Sequence, residues 1–236
     1  MYKIKRAIIM AAGIGERMKP LTLTTPKPLV VVNGVRMIDT VIDALWKNDI
    51  SEIYIVVGYL KEEFQILKEK YPNIHLIQNP YYAQCNNISS LYVARQYRGD
   101  CVILDGDQII YQPEILRREF EKSSYCCKWT ENETKEWLLD VQEDRVVHCS
   151  RTGGRKGWQL YSVSFWTEMD GKKLRYHLEQ EFEKKGNHEI YWDDVAMFCY
   201  PQEYDLGIRR IQDGDIVEID NITELAEIDS KYQRYL

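Results

Sequence analysis

Along the first 122 residues, short unbroken apolar runs alternate with stretches whose apolar positions recur every three or four residues. "RAIIMA" (6–11), "EIYIVVG" (52–58), "IHLIQN" (74–79) and "CVILDGD" (101–107) are of the first kind, as expected of parallel strands buried on both faces. "MIDTVIDALWKN" (37–48), "LKEEFQILKEKY" (60–71) and "SSLYVARQY" (89–97) are of the second kind and predict amphipathic helices. The first of them lines up Met37, Ile38, Val41, Ile42 and Leu45, and the second carries acid and base residues four apart. Strands alternating with helices imply an α/β fold, a Rossmann-like, mostly parallel sheet with helices on both faces joined by right-handed crossovers. Ligands of such sheets bind at the carboxyl ends of the strands. That rule singles out the loop from Ala12, the Gly58-Tyr59 turn and Asp105-Gly106-Asp107.

Beyond residue 123 the rhythm shortens. "SYCCKWT" (124–130), "EWLLDVQ" (136–142), "RVVHCS" (145–150) and "LYSVSFW" (160–166) read as strands separated by polar turns and the basic loop "GGRKG" (153–157). This predicts a small antiparallel or mixed β-rich extension over the mouth of the sheet. Helical stretches at 172–185 and 193–200, strands at 204–211 and 215–220, and a closing helix at 222–235 follow. No repeat, low-complexity tract or linker interrupts the chain, so 1–236 is expected to be one domain, with 1–122 as its core and 123–236 as the extension and closing elements.

Charge narrows the partners. Thirty-one Lys and Arg against 37 Asp and Glu leave a net charge of -6, which argues against a nucleic-acid footprint or a polybasic membrane surface, so any anion site is local. The six cysteines have no CxxC spacing and two are adjacent, a pattern of reduced thiols in a cytoplasmic protein. No run approaches a membrane span, and the apolar stretch after the basic N-terminus is too short for a signal segment. The four histidines have no ligand spacing and receive no role.

The first strand leads into "AAGIGERMKPLTLTTPKPLV" (11–30). A dinucleotide loop needs a third glycine and an uninterrupted helix behind it; here the third position is Met18, and Pro20, Pro26 and Pro28 break any long helix. What remains are Gly13 and Gly15, which let backbone N–H groups approach phosphate oxygens, and two cations, Arg17 and Lys27, of the kind a triphosphate requires. Asp105 and Asp107 follow the fourth strand, where hard carboxylate oxygens suit a magnesium ion.

The loop closely resembles the signature of the nucleotidyltransferases that activate sugar phosphates and alcohol phosphates with CTP or UTP: A-A-G-x-G-x-R, then P-L-T, then P-K-P-L. Within that family the nearest resemblance is to the LicC-type CTP:phosphocholine cytidylyltransferases, through "NPYYAQCNNISSLYVA", "LDGD", "KEW", "SVSFW", "YWDD" and "EID". The resemblance implies a nucleotide-diphospho-sugar transferase fold in which Arg17 and Lys27 contact phosphates, with backbone around Ala11, Ala12 and Gly13 on the base and ribose. It further implies that Asp107, rather than Asp105, holds magnesium together with a late aspartate, best matched by Asp220 over its rivals Asp193 and Asp194; Asp105 then belongs with the nucleotide-binding groups.

For the base, Asn86 and Asn87 offer amide donors and acceptors to a pyrimidine edge, although Asn in that position also suits a helix cap. For the acceptor, a quaternary ammonium lacks N–H donors and is recognised by aromatic faces beside a carboxylate. The resemblance directs that role to Trp137, Tyr191 and Asp193, and leaves Trp129, Trp158 and Trp166 to packing. The implied partners are CTP and a small phosphorylated amino alcohol, phosphocholine, with 2-aminoethylphosphonate, phosphoethanolamine and a sugar 1-phosphate as alternatives. A catalytically silent nucleotide sensor is the reading from a different class.

Overall fold

The computed structural model describes residues 1–236. Strands β1 (Arg6–Ala11), β2 (Glu52–Val57), β3 (Ile74–Gln78) and β4 (Cys101–Asp105) lie parallel in the order β4-β1-β2-β3. Alternate residues of β1 serve opposite layers. Ala7, Ile9 and Ala11 join a core with helix α1 (Met37–Lys47), and Ile8 and Met10 join another with α3 (Ile88–Ala94) and α4 (Glu168–Glu179). Burial on both faces is why the run carries no polar alternation.

Between β2 and β3 the predicted helix is shorter than its periodicity. Leu60 has φ 47, a 3-10 segment covers Lys61–Gln65, and only Ile66–Lys70 (α2) is α-helical. Phe64 and Leu67 are the residues driven into the core, and two buried side chains do not require a full-length helix.

The second half departs from expectation in placement. A short strand β5 (Gln108–Ile110) pairs with the late strand β11 (Ile216–Glu218). The remaining strands, β6 (Ser124–Thr130), β7 (Leu138–Gln142), β8 (Arg145–Ser150), β9 (Gly157–Trp166) and β10 (Gly207–Arg210), extend the main sheet instead of lying over it. Val163–Trp166 of β9 pair antiparallel with β4, its first half pairs with β7, and β6 pairs along it, giving one nine-stranded sheet in the order β8-β7-β9-β4-β1-β2-β3 with β6 attached at β9 and β10 parallel to β6. In β6 the adjacent cysteines point to opposite faces, Cys126 into one core and Cys127 into the other. The closing helix ends early: α5 spans Ile222–Ile228, and Ser230–Tyr235 is a 3-10 turn. No helix is long and apolar enough to cross a membrane.

Candidate active site

Three short 3-10 turns, Glu16–Met18, Leu21–Leu23 and Lys27–Leu29, carry the loop after β1. The prolines forbid a longer helix, and Met18 is fully buried in a small core with Val30, Ile219 and Leu225, so this position packs instead of facing a ligand. Gly15 has φ 69, and a Cβ there would stand 2.9 Å from Thr22 Cγ2, whose hydroxyl donates to the Gly15 carbonyl at 2.8 Å. The loop is thereby folded back so that Lys27 points inward.

Lys27 is buried, and its ammonium bridges Asp107 Oδ2 at 2.6 Å and Asp220 Oδ1 at 2.9 Å. Burial alone would favour the neutral amine; the two carboxylates reverse that and hold it firmly protonated. Arg17, largely exposed, reaches Asp220 Oδ2 at 3.0 Å. Asp220 is pushed upward by burial but held below the usual carboxylate range by Lys27 and Arg17.

Two further acids complete the cluster. Glu218 ends β11 two residues before Asp220, and single carboxylate oxygens of Asp105, Asp107 and Glu218 all lie within 4.8 Å of one another. Burial, then the charges of Asp107 and Asp193, hold Asp105 well above the carboxylate range; burial, then Asp107, Asp105 and Asp220, do the same for Glu218. Four acids thus face the cations Lys27 and Arg17, and Asp107 Oδ1 is buried with no hydrogen-bond partner. This surplus of hard oxygen donors fits a divalent cation such as magnesium. The signal for Glu218 was present in the chain: in a strand, 218 and 220 share a face.

A cavity of about 520 Å³ opens on this cluster, lined also by Ala11, Gly13, Gly15 and Asn87 and by Trp137, Ser162, Tyr191 and Asp193. Ala12 and Asn86 are outside the lining. The Ala12 carbonyl accepts from Tyr59 N at 3.1 Å, and the Asn86 amide donates to the Glu189 carbonyl at 3.1 Å, so both tie segments together. Asn87 Oδ1 accepts from Trp192 N at 2.9 Å, which ties the turn that carries Tyr191 and Asp193 to the start of α3.

At the cavity wall the Trp137 and Tyr191 rings meet edge to face, centroids 5.8 Å apart, and Phe198, unsuspected from the sequence, backs Trp137 at 5.6 Å. Arg151 covers Phe198 at 3.8 Å and pairs with Asp194 at 2.6 Å; Asp194 also accepts from Tyr191 N at 2.9 Å. Asp194 is therefore a cap and an ion-pair partner, whereas Asp193 turns to the cavity. Burial pushes the Asp193 carboxyl up to about 7, with the charge of Asp194 adding and the Tyr125 hydroxyl opposing. Of the tryptophans assigned to packing, Trp166 is fully buried and Trp158 packs at the core edge, but Trp129 is 43% exposed.

A glycine-bearing loop with two cations, an acid cluster suited to a divalent cation and an aromatic-lined cavity meet at the carboxyl ends of parallel strands, the arrangement of a nucleotidyltransferase. The chain belongs to the MobA-like NTP transferase family, whose pattern it matches over residues 7–179, and its relatives place it among the cytidylyltransferases. It is 37% identical over 228 residues to the 2-aminoethylphosphonate cytidylyltransferase of Lancefieldella rimae, covering 96% of this chain and 92% of that protein. It is 32% identical over 224 residues to the choline-phosphate cytidylyltransferase of Streptococcus pneumoniae, covering 95% of this chain and 96% of that protein. The solved structure of the CTP:phosphocholine cytidylyltransferase of S. pneumoniae superposes with a TM-score of 0.90 at 31% identity, over 97% of this chain and 99% of that one.

Proposed function

We propose that the protein transfers the cytidylyl group of CTP to phosphocholine, releasing pyrophosphate and forming CDP-choline. The observation that supports this acceptor most is the Trp137–Tyr191 corner with Asp193 beside it, in the same cavity as Lys27, Asp107 and Asp220. Aromatic faces and one carboxylate suit a quaternary ammonium, and the phosphate end then falls toward the cationic loop.

In the reaction a phosphate oxygen of the acceptor attacks the α-phosphorus, the new P–O bond forms in line with the bond to pyrophosphate, and that bond breaks. No general base is needed, because a phosphate monoester has a second pKa of about 6 and is mostly dianionic near neutrality. Lys27 and Arg17 offset the charge that grows on the α-phosphoryl and leaving oxygens, and the glycine loop orients the triphosphate. Asp107 and Asp220, with Asp105 and Glu218 beside them, would hold magnesium, which when bound supplies further charge neutralisation at the phosphates.

A second reading, 2-aminoethylphosphonate as acceptor, is favoured by one feature. The Asp193 carboxylate lines the cavity, and a primary ammonium can donate to its open edge where a trimethylammonium cannot. The relative at 37% identity carries that activity in its name. Incubation with CTP, magnesium and phosphocholine tests the primary reading: CDP-choline and pyrophosphate in equal amounts are expected, and CTP left intact, or hydrolysed with no coupled product, overturns it.

A further inference from the structure

Tyr125 lies in β6, fully buried, its ring parallel to that of Trp192 (centroids 6.2 Å, interplanar 18°) and edge-on to Trp166 (6.1 Å). Two aromatic neighbours thus fix the direction of its hydroxyl. The Tyr125 hydroxyl neighbours the Asp193 carboxyl, and both Tyr125 Oη and Asp193 Oδ1 are buried without a hydrogen-bond partner, each other included. A buried phenol without a partner is costly, so its retention beside a buried carboxylate calls for a physical reason.

The surroundings supply one. Burial and the charge of Asp194 oppose ionisation of Asp193, its own charge in turn opposes ionisation of Asp105 and of the Cys149 thiol, and Arg151 is committed to Asp194 at 2.6 Å. Tyr125 is the hydroxyl-bearing side chain beside it on the buried side.

We propose that Tyr125 is a positioning residue for the acceptor: its hydroxyl donates to the inner edge of the Asp193 carboxylate and turns the outer edge toward the cavity, where it receives the ammonium group of the acceptor. The inference rests on the reading of Asp193 as the ammonium partner. Tyr125 itself touches no substrate, being walled off by Trp192 and fully buried. Burial and the Asp193 charge keep the phenol protonated and able to donate.

The test compares Tyr125→Phe, Asp193→Asn and the double variant in steady-state kinetics with CTP, magnesium and the active acceptor. A hydrogen bond to a charged group is worth enough for Tyr125→Phe to raise the acceptor KM roughly tenfold. KM for CTP and kcat at saturating acceptor should stay within about twofold, and in the Asp193→Asn background the same change should add less than about twofold, since the carboxylate it orients is gone. An unchanged acceptor KM in Tyr125→Phe, equal rises for acceptor and CTP, or effects that multiply in the double variant would overturn the positioning role. If Asp193→Asn raises the acceptor KM while Tyr125→Phe does not, only this inference falls. If Asp193→Asn also leaves it unchanged, the reading of Asp193 falls too.

Discussion

Lys27 and Asp107 are in direct ionic contact, Nζ to Oδ2 at 2.6 Å, so the loop after the first strand is tied to the end of the fourth. The same ammonium holds Asp220 at 2.9 Å. Without a metal, one lysine thereby offsets the two carboxylates expected to hold it. Lys27→Ala should reduce pyrophosphate release at least ~100-fold, the usual loss when one preorganised charge partner of a transition state is removed. It should also lower the stability of the metal-free protein by about 3–5 kcal/mol, because a buried pair is broken with the acids left behind. Added magnesium should recover part of the melting temperature and none of the rate, which calorimetry and a coupled pyrophosphate assay would separate.

Trp137 stands edge-on to Tyr191 at 5.8 Å and lines the same cavity as the loop. Trp137→Ala should raise the acceptor KM roughly tenfold, in line with about 1–2 kcal/mol for a desolvated cation on an aromatic face, and leave KM for CTP within twofold. Equal rises for both substrates would show that the residue supports the fold and not the acceptor.

Asp193 gives a pH signature. Its carboxyl titrates at about 7 in the folded protein, above its value in an unfolded chain of about 3.9. The folded state therefore binds the proton more tightly, and this group costs stability progressively as pH rises from about 4 to about 7 and fully above that. Asp193→Asn should accordingly melt above the parent at pH 8, with the gap closing toward pH 4. In the parent the acceptor KM should fall as pH passes through about 7 and the carboxylate forms; in Asp193→Asn only the titration of the acceptor itself should remain. Parallel profiles for the two proteins would remove Asp193 from acceptor binding.

Gly15 combines φ 69 with a Cβ position 2.9 Å from Thr22 Cγ2 and 3.2 Å from Lys27 Cβ. Gly15→Ala should cost about 1–2 kcal/mol for the left-handed backbone. Because the added methyl meets Thr22 and also presses on Lys27 Cβ, KM for CTP should rise more than KM for the acceptor, as measured by initial rates. A melting curve and a CTP titration both unchanged from the parent would contradict the account of the loop.

The strands of the core and α1 were legible because their burial leaves a direct imprint: Ile8 and Ile9 face opposite layers, so the run stays apolar throughout. The 60–71 stretch misled because apolar spacing does not tell a 3-10 turn from an α-helix: after Leu60 at φ 47 the chain is 3-10 over Lys61–Gln65 and α-helical only over Ile66–Lys70. Placement of the later strands was illegible for a related reason. Pairing of β9 with β4 joins Trp166 to Cys101 and Val163 to Leu104, contacts far apart in the chain that alternation within either strand cannot reveal. At the site, motif spacing brought Arg17, Lys27, Asp107 and Asp220 to one contact network. Glu218 and Phe198 escaped notice because each looks like an ordinary strand acid or core aromatic until the fold sets it beside Asp107 or Trp137.

Cytidylyl transfer to a short acceptor that pairs a phosphorus oxyanion with an ammonium group is read out by kcat/KM for pyrophosphate release from CTP and magnesium across phosphocholine, 2-aminoethylphosphonate, phosphoethanolamine and glucose 1-phosphate. The aromatic corner and Asp193 predict phosphocholine highest, the other two ammonium acceptors next and the sugar phosphate at background. Fastest turnover with 2-aminoethylphosphonate would transfer the acceptor role to the second reading, and fastest turnover with glucose 1-phosphate, or none with any acceptor, would contradict the account.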